Sequence, residues 1–175
     1  MNTNQHQLNM NNTLIYPKNN TSNRSQPEGS IWNLISDQVM GGVSQGVMQD
    51  SGQIVNMQGR VSLENNGGFI QLQTILPTDL YPEQYQGVFI EVCTQTAIKL
   101  QLVIKSSQLW MPWQSYRAEV KSEPNWQTFK IPFEHFEPYK TKTRLNPKKM
   151  TKFAVLAGGQ TMDINASIRQ FGFYK

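Results

Sequence analysis

The strongest constraint on the fold is an alternation of period two that keeps breaking off and restarting. Ile98, Leu100, Leu102 and Ile104 alternate with Lys99, Gln101, Val103 and Lys105 over eight residues, the pattern of a half-buried strand. The same spacing recurs in Val88/Ile90/Val92, in Ile70/Leu72, and in Tyr116/Ala118/Val120 set against Arg117 and Glu119. No stretch of ten or more residues carries a clean 3.6-residue period. Turn chemistry falls between the runs. Asp50-Ser51-Gly52 separates residues 44–49 from 53–60, and Asn65-Asn66-Gly67-Gly68 separates 61–64 from 69–75. Asn and Gly both tolerate positive φ, so each site is expected to be a hairpin. Further strands are expected over 126–131, 152–157 and 168–174. About ten short strands with frequent turns predict an all-β fold, an antiparallel β-sandwich or jelly roll.

The start of the chain reads differently. Asn stands at positions 2, 4, 9, 11, 12, 19, 20 and 23, with little apolar content among them. Ordering such a backbone costs about 1–2 kcal/mol per residue, and this segment has little to offset it. Residues 1–29 are therefore expected to be a disordered Asn-rich tail, and residues 30–175 the folded domain. Within the tail, Leu14-Ile15-Tyr16 is an apolar island able to dock as an edge strand. A folded part of roughly 145 residues buries about two-thirds of its unfolded surface, enough for a core without staples. The single cysteine, Cys93, excludes an intrachain disulfide framework. With only His6 and His135, a zinc centre would need carboxylates for most of its ligands. Residues 1–12 contain neither an apolar core nor an arginine, which argues against a secretory signal and a mitochondrial presequence. No apolar run approaches the ~18 residues needed to span a bilayer. These features predict a soluble, cytoplasmic, single-domain protein.

Most motifs that invite a catalytic reading fail on context. Gly42-Val43-Ser44-Gln45-Gly46 has G-x-S-x-G spacing, but a nucleophile elbow needs a strand, a sharp turn and a helix. Here residues 47–52 read as a strand entering a hairpin, so Ser44 is expected in a tight glycine loop. Met40-Gly41-Gly42-Val43 lacks the Gly-Lys-Ser/Thr ending of a phosphate loop. Asp37 and Glu64 lack the D-x-D spacing of a calcium loop, His135 has no nucleophile motif pointing at it, and Cys93 has no local cation to stabilise a thiolate. No catalytic residue, metal or cofactor is assigned.

Two other stretches are binding candidates. Residues 109–116 concentrate Trp110, Trp113 and Tyr116 between two strands, a cluster suited to stacking on sugar rings or anchoring a protein interface. Lys140, Lys142, Arg144, Lys148, Lys149 and Lys152 crowd six positive charges into one stretch, with no acid between Glu137 and Asp163. The formal net charge is +4, and without these six the chain holds ten basic against twelve acidic residues. The domain is thus nearly neutral with one positive loop. Such a run is by default solvated; as a site it fits an acidic protein partner better than nucleic acid or anionic lipid, because no stacking platform is interleaved.

Trp32, the run from Asp37 to Gly46, and Gly59-Arg60-Val61-Ser62-Leu63-Glu64-Asn65-Asn66-Gly67-Gly68-Phe69 together resemble the complex I intermediate-associated protein 30 family. Tyr116-Arg117, the stretch from Trp126 to Phe133, and the closing patterns 153–158 and 168–173 are similar to its C-terminal half. The resemblance covers about residues 31–174. It implies a galactose-binding-domain-like jelly roll and a non-catalytic assembly or scaffold factor working through protein contacts. Partners would be subunits of a respiratory or other membrane-associated complex. Asp37, Met40, Gly41, Gly42 and Ser44 match the family's signature loop and are carried over as binding candidates. The Asn-rich start, in place of a transit peptide, and a basic 139–149 loop without glycine depart from the family pattern. The alternative function is a carbohydrate-binding module using the aromatic loop.

Overall fold

The computed structural model describes residues 12–18 and 29–175. Twelve strands among them form two antiparallel sheets packed face to face. The first sheet has the order β3-β4-β12-β6-β9, from Gln45–Asp50, Val55–Val61, Met162–Tyr174, Gly87–Thr94 and Gln127–Pro132. β1, Thr13–Tyr16, pairs with Phe171–Phe173 of β12, on from the stretch of β12 that pairs with β4. The second sheet has the order β10-β8-β7-β11-β5-β2, from Glu137–Tyr139, Ser115–Ser122, Ile98–Ser106, Met150–Gly158, Phe69–Ile75 and Trp32–Ser36. The remaining regular elements are short 3₁₀ turns, and among the described residues no helix is long and apolar enough to cross a membrane.

Alternation is what makes this a sandwich. Leu100, Leu102 and Ile104 of β7, Ile70 and Leu72 of β5, and Val88, Ile90 and Val92 of β6 all point into the interior and are fully buried. Aromatic rings knit the two layers together. Phe153 of β11 stacks on Phe171 of β12 at 4.0 Å between centroids. Trp32 of β2 lies 5.9 Å from Phe171 and meets the ring of Tyr16 edge-on at 5.8 Å. The island at residues 14–16 therefore docks, and Tyr16 also donates a hydrogen bond to Asp50 (2.7 Å). The rest of the expected tail, residues 1–11 and 19–28, lies outside the described residues.

Among the strands and turns, the structure departs from the sequence expectations at the Asn-Gly run and at the last strand. Asp50-Ser51-Gly52 does turn a hairpin, joining β3 to β4. Asn65-Asn66-Gly67-Gly68 does not: β4 belongs to the first sheet and β5 to the second, so this run is a corner between sheets. The positive φ angles read from its residue types are real, at 56° for Asn65, 57° for Asn66 and 132° for Gly68, but they bend the chain across the sandwich. The last strand begins at Met162, well before the expected start at Ile168. A register shift between Ile168 and Gln170 changes the inward parity from Ile164, Ala166 and Ile168 to Phe171 and Phe173. A bulge of this kind hides a long strand from a period-two reading.

β11 sets the geometry of the loops. At its start Met150 pairs with Ser106 of β7, and at its end Gly158 pairs with Phe69 of β5. Nine residues at about 3.4 Å each separate the two ends by roughly 27 Å. The loops leading into Met150 and out of Ser106 lie at one end. The loop after Ser36, whose partner is Ile70, lies at the other.

Candidate functional site

At the second end the chain leaves β2 through a 3₁₀ turn, Asp37–Met40, closed by Gly41 at φ 85°. The Ser36 side chain caps the turn by accepting from the Gln38 amide. Asp37 faces inward and is fully buried. Its Oδ1 accepts from the Ser44 amide (2.9 Å), and its Oδ2 accepts from the Ser44 hydroxyl (2.5 Å) and the Gly68 and Phe69 amides (2.5 and 3.3 Å). Ser44 Oγ accepts in turn from the Ser62 amide (2.9 Å). One carboxylate thus ties the loop after β2 to the corner before β5. Gly42 and Gly67 flank it, and a Cβ on either would overlap the carboxylate. The two glycine-rich blocks, far apart in sequence, are the two halves of one socket.

Burial pushes the Asp37 carboxyl up, but the hydrogen bonds from Ser44, Gly68 and Phe69 outweigh it and hold the group below its ordinary range. The anion is satisfied within the fold. Asp37, Gly42 and Ser44 are brought together in this socket, and beside Gln38 the loop turns apolar side chains to solvent: Val39 is 73% and Met40 63% exposed, with Val43, Val47 and Leu63 also outside. The loop is inverted in its charged and apolar groups: Asp37 is inside, and its hydrophobic side chains are out. A shallow recess lined by Ser36, Gln38, Gln45 and Gln58 opens beside it, between β2 and the β3–β4 edge.

Ser44 and His135 do not meet. Ser44 precedes β3 at one edge of the first sheet; His135 is exposed in the 3₁₀ turn after β9 at the opposite edge. Four strand spacings of about 4.8 Å put roughly 19 Å between those edges.

The other candidates gather at the first end. Trp110 is 93% and Trp113 53% exposed, while Tyr116 is fully buried in the core. Tyr116 lies on β8 with inward parity, so it offers no ring to a ligand; its hydroxyl donates to the Arg144 carbonyl (3.3 Å). Lys140, Lys142, Arg144, Lys148 and Lys149 are all exposed, on the loop from β10 to β11. The aromatic and basic loops lie against each other. Gln114 Nε2 donates to the Lys140 carbonyl (3.1 Å), Gln108 Oε1 accepts from the Asn146 amide (3.0 Å), and the Ser107 amide donates to the Lys149 carbonyl (2.9 Å). Lys105 anchors the aromatic loop from behind, its Nζ donating to the carbonyls of Pro112 (2.5 Å) and Gln114 (2.7 Å). Burial, and then the nearby charges of Arg117 and Lys152, lower its pKa to about 8.

A further surface has no counterpart in the sequence reading. On the outer face of the second sheet, Val103, Ala154 and Leu156 form a buried apolar floor with Phe69 packed on it, separate from the main core. Gln71, Gln73 and Gln101 adjoin it in register. Their alternation is visible in the sequence, but period two does not distinguish an outer face that is covered from one that is bare.

Residues 20–169 match the family described as Complex I intermediate-associated protein 30. The chain belongs to that family. The family match spans both halves of the Asp37 socket. Comparison with curated protein sequences finds no match. Among solved structures, this member of the complex I intermediate-associated protein 30 family resembles a family 11 carbohydrate-binding module from Clostridium thermocellum, solved with a β-1,3-1,4-mixed-linked tetrasaccharide. The TM-score is 0.68 at 11% identity, over 94% of this chain and 95% of that one. The family 11 module of the cellulosomal cellulase Lic26A-Cel5E of Clostridium thermocellum gives 0.64 at 11% identity, over 85% and 91%. An agarase, AgWH50C, gives 0.56 at 9% identity over 86% of this chain but only 23% of its own. At such identities the likeness is one of fold, and it establishes the jelly-roll, galactose-binding-like architecture.

Proposed function

We propose that this family member is a non-catalytic binding domain that serves as an assembly or scaffold factor, gripping a protein partner through the signature loop. The observation that carries the reading is the inverted loop. Val39 and Met40 are held in water by a turn whose one charged group, Asp37, is turned inward into the socket. Exposed apolar side chains on a rigid backbone bind at low entropic cost, and methionine adapts to an apolar partner surface. The family description points to intermediates of a respiratory complex as the source of that partner, and the apolar loop beside a shallow recess suits a protein segment. Affinity purification of the full chain from its native host at low salt, with a photocrosslinker at position 40, tests this. Subunits of a membrane-associated complex should be crosslinked to the native sequence and lost, at least tenfold, in Val39→Asp/Met40→Asp. Retention by that variant, or recovery of no such subunit, overturns the reading.

A second reading, carbohydrate binding, is favoured by the outer face of the second sheet, where half-buried Phe69, Gln73 and Gln101 lie around the covered floor of Val103, Ala154 and Leu156. Planar amides can hydrogen-bond sugar hydroxyls while a sugar ring lies against Phe69. An oligosaccharide array with Gln101→Ala and Trp113→Ala controls decides between this face and the aromatic loop. Absence of retention at millimolar sugar removes the reading.

A further inference from the structure

The end of the sandwich opposite the signature loop combines features that a protein interface alone does not explain. Trp110 stands almost wholly in water, with Met111 and Trp113 exposed beside it. These side chains are not out by floppiness. Gln114 Oε1 accepts from the amides of both Trp110 and Met111 (3.1 Å each), and Lys105 holds the carbonyls of Pro112 and Gln114. The loop is tied back by polar groups so that its apolar side chains project outward.

Around this projection lies charge of one sign. Lys140, Lys142, Arg144, Lys148 and Lys149 are all exposed on the loop hydrogen-bonded to it. Residues 107–114 contain no acid, and none occurs between Glu137 and Asp163. The aromatic and basic stretches are well separated in sequence, with β8 and β9 between them, so neither looks like an amphipathic surface; the fold interleaves them. Tryptophan prefers the boundary between headgroups and acyl chains, and lysines beside it reach anionic headgroups.

We propose that this tip docks on an anionic lipid bilayer, with Trp110, Met111 and Trp113 entering the headgroup region and the five exposed cations of residues 140–149 resting on acidic lipid headgroups. Each cation near such a surface strengthens binding by about fivefold, and burying the aromatic tip adds about tenfold or more. Neither contribution is large alone. Together they give reversible, salt-sensitive attachment without a membrane span.

The test is vesicle flotation of the full chain with phosphatidylcholine alone and with about one part in four of phosphatidylserine. The expected result is flotation with the anionic vesicles, little with the neutral ones, and loss at high salt. A blue shift of tryptophan emission should accompany it. Lys148→Gln/Lys149→Gln should weaken binding by about 25-fold, and Trp110→Ala by about tenfold, with circular dichroism unchanged since these side chains are exposed. An excess of inorganic phosphate at constant ionic strength should not displace the protein, which separates a surface from a small-anion site. Equal flotation with neutral vesicles, indifference to the lysine substitutions, or retention on an acidic protein or oligonucleotide without vesicle binding would each overturn the proposal. Val39→Asp/Met40→Asp should leave flotation unchanged, so failure here and failure of the partner-binding reading are separable.

Discussion

At the scale of single residues, Asp37 is the most consequential side chain in the molecule. Asp37→Ala would strand the Ser44 and Gly68 donors in a closed socket, where each unmet group costs about 1–3 kcal/mol. A loss of about 3 kcal/mol or more is expected in chemical denaturation, with the corner at residues 64–68 exchanging amide protons first. Gly42→Ala and Gly67→Ala should cost about 1–3 kcal/mol, because the added methyl meets the same carboxylate. Because the folded state holds the Asp37 carboxyl below its unfolded value, the stability it confers is full above about pH 4 and declines as pH falls through the lowered folded value. In Asp37→Asn that share of the acid-side loss should disappear from a denaturation–pH series. The sequence exposes these residues as a glycine-rich loop with an acid but suggests a surface site. Which way a short loop turns its polar groups depends on Gly68 and Phe69 in a distant segment, and no local pattern encodes that.

Among the strands, most of the second sheet and the β3–β4 hairpin are legible in the sequence, because alternation and turn residues are local signals. The last strand is cut short by its own bulge, and β2 leaves no clear pattern because Trp32–Ser36 holds one clear inward apolar residue at its start. The Asn-Gly corner reads as a hairpin because the same positive φ angles serve a hairpin or a sheet-to-sheet crossing. β1 is joined to the domain by its register with β12, by Ile15 and Tyr16 in the core, and by the Thr13–Tyr85 hydroxyl pair. Removing residues 1–18 should therefore lower stability by about 2–4 kcal/mol, the scale of an excised buried aromatic. Tyr16→Phe, which deletes only the hydrogen bond to Asp50, should cost about 1 kcal/mol. Burial, and then Asp50, hold the Tyr16 hydroxyl well above the ordinary phenol range, so its alkaline titration, followed by ultraviolet absorbance, should coincide with unfolding.

For the molecule as a whole, the two candidate surfaces stand at opposite ends of β11, and their readouts should be independent. Purified chain carrying Trp110→Ala should keep its crosslinked protein partner, and the Val39/Met40 variant should keep its vesicles; a single change that abolished both without unfolding the domain would contradict this division. The basic loop also accounts for the charge asymmetry seen in the sequence, since it concentrates the excess positive charge at one pole. β11 carries a mechanical consequence. It runs lengthwise between the poles and is hydrogen-bonded along both flanks, to β5 and to β7. A pull between membrane and partner would load those ladders in shear, where many bonds must yield together, instead of peeling them open one at a time. A domain built this way can hold a cargo under tension with its sandwich intact.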